Sequence, residues 1–188
     1  MKSPKIQSSE MTPIEMKGNV ARQLKQVRQQ KKLSLDAVAS LTGVSKAMLG
    51  QIERQESSPT IATLWKISSG LGVSFSSFFT SQNLEVSAAV HFPEDPNMQV
   101  KTLFPFMEDT ALEVFEITLL NHHRQLSSAH QQGVIEHVYV VSGCLSVLAG
   151  GEWEKINEGE STRFYADQPH GYYGETDKAV FQNIIRYL

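Results

Sequence analysis

The stretch LDAVASLTGVSKAMLGQI, from Leu35 to Ile52, constrains the fold more than any other part of this chain. Its apolar residues recur at helical spacing in two short blocks, Val38 in the first and Leu49 and Ile52 in the second. Ser34 stands where a helix N-cap accepts a backbone N–H, and Ser45 stands in the same place for the second block. Gly43 lies between them and enters the left-handed region at no steric cost. Val44 fills the corner, and Ala39 is small enough for the next helix to come close. These residues predict one short helix turned sharply onto another.

The flanking segments extend the helical pattern. Val20, Leu24 and Val27 form a stripe that ends in the basic run RQQKK. After the loop QESSPT, Thr60 caps IATLWKISSGLG, and VSFSSFF reads as a short fifth helix. The paired helices match a helix-turn-helix, whose second helix enters the DNA major groove. With Leu49 and Ile52 inward, the 100° step per residue turns Lys46, Ala47, Gly50 and Gln51 outward. Gln51 suits bidentate pairing with adenine, Lys46 donation to guanine, and Ala47 contact with a thymine methyl. Ser45 and Thr60, with the amides of their helix starts, suit phosphates, and Arg22, Lys25 and Arg54 add charge toward the backbone. The charge distribution agrees. Residues 1–80 carry eleven Lys/Arg against five Asp/Glu, a balance of +6, while residues 81–188 carry six against fifteen, a balance of −9. A basic half joined to an acidic half suits a polyanion at one end only.

Beyond Phe79 the pattern changes to alternating, β-branched segments. VKTLFPF, LEVFEITLL, HVYVVSGCLSVLAG, GEWEKI, STRFYA and KAVFQNIIRYL are strand candidates, separated by turns such as AGGEW, NEGES and GETDK. Spacing of this kind predicts an antiparallel sandwich or barrel. One cysteine, Cys144, excludes an internal disulfide and fits a reducing compartment. The N-terminus has no signal-peptide core, and no stretch reaches the ~20 apolar residues of a membrane span. The expectation is a cytoplasmic protein without membrane attachment.

Two resemblances sharpen this reading. SLDAVASLTGVSKAMLGQIERQESSPTIATLWKISSGLGVSFSSFF resembles the lambda-repressor-like, XRE-type DNA-binding domain over residues 18–80. The resemblance implies that Arg28 pairs with Glu53 of the IER run as a structural ion pair. Residues 110–186 resemble a cupin, a jelly-roll barrel. His130, Gln132, Glu136 and Gly143 fill places of its first motif, with Gln132 where a second histidine is usual, and His170 fills the histidine of its second. That implies a site for a divalent metal held by His130, Glu136 and His170, with zinc first because three protein ligands and an open position suit it. Gln132 is a poorer ligand, and His137 replaces Glu136 if the strand register slips by one residue. Arg163, Tyr165 and Tyr172 lie close in sequence to His170 and are candidates for effector binding.

The expected protein is therefore an α + β chain of two domains. A disordered tail spans 1–17, a five-helix DNA-binding domain 18–80, a linker with first strands 81–109, and a cupin barrel 110–188. XRE-type domains followed by a cupin form a class of bacterial regulators, and SKAMLGQIER, ESSPT and GVIEHV are similar to the sulphur-utilisation members of it. This implies a sequence-specific regulator of transcription that binds a double-stranded operator as a homodimer. Its cupin domain would bind a small effector, such as a sulphur-containing amino acid or related metabolite. The competing expectation is a metal-dependent cupin enzyme, an oxygenase or isomerase.

Overall fold

The computed structural model describes residues 12–79 and 89–187. The expected tail at 1–17 falls mostly outside the described residues, but its last part is helical. Helix α1 runs Pro13–Gln30, five residues ahead of the expected start at 18. Thr12 and Glu15 explain this: the Thr12 hydroxyl accepts the Glu15 amide, and the Glu15 carboxylate accepts the Thr12 amide in return. The added turn puts Met16 into the core.

The helix-turn-helix follows the expected residues closely. Helix α2 (Leu35–Thr42) starts at Ser34, whose hydroxyl accepts the Ala37 amide, and ends at Gly43 with φ +66°. Helix α3 (Lys46–Glu53) starts at Ser45 and α4 (Ile61–Leu71) at Thr60, each hydroxyl accepting the amide three residues on. Val38, Leu49 and Ile52 are buried, as is Val44 at the corner. The close approach to α2 comes from Gly70 on α4. A Cβ there would stand 2.6 Å from the Leu41 carbonyl oxygen and 2.8 Å from Thr42 Cα. The Arg28 guanidinium grips Glu53 through Nε at 2.6 Å and Nη2 at 2.9 Å, and its Nη1 donates to the Leu33 carbonyl. The resemblance implied this pair, and it ties α1 to the end of α3.

The expected fifth helix is a correction. Phe75–Phe78 forms one 3-10 turn, so the described residues hold four α-helices. The three-residue repeat puts Phe75 and Phe78 on one side, both fully buried.

The second half forms two antiparallel sheets. The larger is ordered β1 (Ala89–His91), β2 (Met98–Met107), β3 (Leu112–Leu120), β10 (Lys178–Arg186), β5 (Ile135–Ser142), β8 (Ser161–Tyr165). The smaller is ordered β4 (Arg124–Ser127), β9 (His170–Gly174), β6 (Cys144–Ala149), β7 (Glu152–Asn157). Phe115, Ile117, Val138, Val140 and Phe181 of the larger sheet face Leu145, Val147, Ile156 and Tyr172 of the smaller, all buried in one apolar cluster. No ladder joins the two sheets among the described residues, so of the expected sandwich or jelly-roll barrel the structure takes the form of a two-sheet sandwich that does not close.

The two halves share that cluster. Trp65 of α4 stacks on Phe75 with ring centroids 3.9 Å apart, and Phe115 of β3 meets both rings edge-on. Glu113, buried on β3, accepts the Phe75 and Ser76 amides at 3.2 and 3.0 Å and the Tyr187 hydroxyl. Burial raises the Glu113 carboxyl above its ordinary range, against the pull of these donors. Asp95 accepts the Ile61 amide at 2.7 Å.

Candidate functional site

The first candidate surface is the exposed side of α3. Ser45, Lys46, Ala47, Gln51 and Arg54 are all exposed, as their spacing predicted. Gly50 is not, because it lies beneath the Arg54 side chain. Leu49 and Ile52 anchor the opposite side, so the helix presents Gln51 on a rigid support. Two of the basic residues carry local partners. Lys46 Nζ lies 2.8 Å from Asp36, and Arg54 makes a bidentate pair with Glu56 at 2.8 and 2.7 Å. Both pairs are well exposed, so a phosphate can compete for either cation at small cost. Thr60 is placed differently. Its hydroxyl caps α4, and the first amide of that helix already holds an anion, the Asp95 carboxylate.

The second candidate site lies between the sheets. Three elements bring it together: the loop before β5 carries His130, β5 carries Glu136, and β9 opens with His170. Their ligand atoms lie within 4.8 Å of one another. His130 Nε2 is 3.0 Å and His170 Nε2 3.4 Å from the same oxygen, Glu136 Oε1. The three side chains are 4%, 1% and 1% exposed, so no solvent screens them. Glu136 Oε2 accepts from the Tyr172 hydroxyl and from Asn183 Nδ2 at 2.9 Å. Register settles which residue of β5 faces inward: Glu136 is buried among these partners, and His137 points to the other face.

The protonation chemistry follows. His170 Nδ1 is 2.9 Å from the Gln168 carbonyl, which only accepts, so Nδ1 carries the proton. In a neutral His170, the Nε2 lone pair then faces the Glu136 carboxylate, which is repulsive. Something positive must lie between them, either a second proton on the ring or a cation. Burial alone would lower the His170 pKa, but its hydrogen bond and charge interaction with Glu136 outweigh that and raise it. Burial would likewise raise Glu136, but hydrogen bonds from His130 and His170 hold it well below the usual carboxylate range. Tyr172, buried beside this charge, is pushed well above the ordinary phenol value. The donor set of two imidazole nitrogens and one carboxylate oxygen also fits a divalent cation, with Nδ1 of each histidine tied from behind. Asn183 Oδ1, buried with no hydrogen-bond partner, adds a free acceptor beside the cluster.

Other expected residues do not join it. Gln132 is exposed in the loop. Arg163 and Tyr165 flank Phe164, which faces the core, so alternation turns both outward, and the Arg163 guanidinium lies 5.8 Å from the Tyr165 ring centroid. Asn183 escaped the sequence reading, although alternation of buried Ala179, Phe181 and Ile185 along β10 marks it as inward. The contact from outside the domain also escaped it. His130 Nδ1 is 3.1 Å from the Ser69 hydroxyl of α4, and its ring lies 4.9 Å from that of Trp65. No local pattern signals a pairing across 61 residues.

Comparison with known proteins agrees with this arrangement. Residues 24–78 match the helix-turn-helix family HTH_3. Over 165 residues the chain is 46% identical to the HTH-type transcriptional regulator SutR of Escherichia coli K12, covering 87% of this chain and 92% of that protein. The crystal structure of an HTH_3 family transcriptional regulator from Vibrio cholerae is 56% identical and covers 94% of this chain and 99% of that one, with a TM-score of 0.90. The cupin_2 domain of an XRE family regulator from Enterobacter cloacae is 36% identical over 49% of this chain and 98% of that one, with a TM-score of 0.48. No helix among the described residues is long and apolar enough to cross a membrane. With a helix-turn-helix at its N-terminus and a cupin-like sandwich behind it, the chain belongs to the XRE-type family of helix-turn-helix transcriptional regulators.

Proposed function

We propose that this cytoplasmic regulator reads a specific operator through α3 and that its cupin-like domain senses a small effector, with a divalent cation at His130, Glu136 and His170. Gln51 is the principal base reader, Lys46 and Ala47 contact neighbouring bases, and Ser45, Arg54 and Thr60 face phosphates. Zinc is the first candidate for the cation. It would polarise whatever effector oxygen or sulphur reached its open position. Effector chemistry like that of a sulphur-containing amino acid suits such a ligand. The chain acts as a homodimer, with recognition helices about 34 Å apart on a palindromic site.

One observation carries this reading: His130 touches the cation site with one ring nitrogen and the DNA-binding domain with the other. Nε2 meets Glu136, and Nδ1 meets Ser69 of α4. Rotation of this ring on loading the site must change the Ser69 contact or strain it. A ligand acts on DNA only through such a difference between two states. The same geometry favours a sensor over an enzyme, because Tyr172 and Asn183 occupy the second Glu136 oxygen and the two histidines the first, so neither oxygen is free to serve as a base. The test is operator affinity of protein purified with zinc, stripped with chelator, and exposed to a panel of sulphur-containing metabolites. Affinities that differ between loaded and stripped protein, and lose that difference in Ser69→Ala, support the reading. Identical affinities in every state would refute the sensor role.

A further inference from the structure

The four-stranded sheet has an outer side that the cation site does not use. Tyr172 of β9 points inward to Glu136, so its neighbour Tyr173 points outward. Register aligns Arg124 of β4, Tyr173 of β9 and Ser146 of β6 in one row. Trp153 of β7 reaches over this row. Its ring lies 4.9 Å from the Arg124 guanidinium carbon and meets the Tyr173 ring edge-on at 6.5 Å. With Glu175 these residues line an open cavity of about 370 Å³ on the sheet surface. That volume lies within the range of small-molecule sites.

The lining is chemically polarised. Arg124 stands at one side and has no carboxylate partner among the described residues. Its position over the Trp153 ring favours this placement without neutralising the charge, so its N–H groups remain open to an anion. Glu175 stands at another side, and one of its oxygens accepts from the Ser146 hydroxyl. Ser146 is only 6% exposed, so this bond is sheltered from water and holds the carboxylate in place. The two opposite charges share one cavity without closing on each other, and the two aromatic rings form an apolar wall. We infer that this cavity is a second small-molecule site and that it takes a zwitterion of α-amino-acid type. The ligand carboxylate pairs with Arg124, its ammonium with Glu175, and its side chain lies against Trp153 and Tyr173. Nucleotides and other phosphorylated molecules are disfavoured by Glu175, and plain amines by Arg124.

This site goes beyond the regulator reading, and its binding does not depend on it. It does have a route to the rest of the molecule: β9 carries both Tyr173 and His170, and β4 packs against α4. The test uses the full chain without DNA, so a failure of DNA regulation leaves it intact. Each of the twenty standard L-amino acids is titrated singly by calorimetry. The strongest binder is then compared with its methyl ester and its N-acetyl derivative on the same protein. The expected result is binding of one equivalent per chain, counted apart from any cysteine or methionine taken up at the cation site, that falls about tenfold or more with either blocked analogue, each removing one charge-assisted contact. Arg124→Gln and Glu175→Gln should each show a similar loss, and Arg163→Gln, on the other sheet's outer side, should bind as the unaltered chain does. Absence of heat with all twenty probes would overturn the proposal. So would equal affinity for the blocked analogues, or a loss in Arg163→Gln equal to that in Arg124→Gln. Sedimentation of Arg124→Gln as monomer where the unaltered chain is a dimer would instead make this side an interface between copies and would also overturn it.

Discussion

Asp95→Asn isolates one charge at a helix start that DNA is expected to approach. The Asp95 carboxylate accepts the Ile61 amide at 2.7 Å and so neutralises the positive end of α4 from the neighbouring domain. Asparagine keeps an oxygen acceptor of the same shape and removes only the charge. Loss of a carboxylate from a helix N-terminus costs roughly 0.3–1 kcal/mol, and Asp95 is half-buried, so melting should fall only slightly. DNA binding should move the other way. A phosphate contacting the remaining amides of this turn would come within about 4–6 Å of the carboxylate, where like charges in water repel by about 1 kcal/mol at the near limit. Removing that repulsion should tighten binding by up to about fivefold at low salt and less as salt screens it. Phosphates carry no sequence information, so operator and scrambled duplexes should gain equally. Fluorescence anisotropy across a salt series measures this directly. Unchanged affinity at low salt in a normally melting variant would refute the idea that the Thr60 end of α4 meets the DNA backbone.

Four further outcomes are expected. Gln51→Ala should cost about 1–3 kcal/mol on the operator and little on random duplex, measured by competition binding, whereas equal losses would remove it as a base reader. Gly70→Ala places a Cβ 2.6 Å from the Leu41 carbonyl and should destabilise the chain by about 1–3 kcal/mol in chemical denaturation. In the cation-free protein the Glu136–His170 pair should add most stability between pH 4.5 and 6.5, their ordinary values, read as the difference in melting temperature between the unaltered chain and Glu136→Gln. The lowered carboxyl of Glu136 contributes above its unfolded value and is lost as pH falls, and the raised imidazole of His170 contributes below its own and is lost as pH rises. Added zinc, which replaces the shared protons, should abolish the alkaline decline in melting temperature, and Glu136→Gln should remove this response.

The N-terminal half was legible because its determinants are local. Ser34, Ser45 and Thr60 cap the helices they precede, and Gly43 makes the turn with the only residue type that does so freely. Arg28 and Glu53 were legible only through resemblance, since they lie 25 residues apart. The site between the sheets was half legible. The cupin resemblance implied His130, Glu136 and His170, but a period of two cannot choose between Glu136 and His137 without the register that Phe164 and Ile185 fix. Arg163 and Tyr165 were misplaced for the same reason. Strand β9 was missed because HGYYG carries two glycines and no β-branched residue. Asp95, Glu113 and Trp65 gave no signal, because their partners belong to the other half of the chain.

The aromatic continuity between the halves bears on how such chains can be rearranged in evolution. Trp65 and Phe75 share ring contacts with Phe115, and Glu113 satisfies the first amides of the 3-10 turn. A reader domain cut away here would leave a stacked ring pair in water and two amides without their acceptor. Grafting it onto an unrelated sensor would need a matching aromatic and carboxylate on the new strand. Exchange of partners by recombination therefore requires a sensor that already carries this socket.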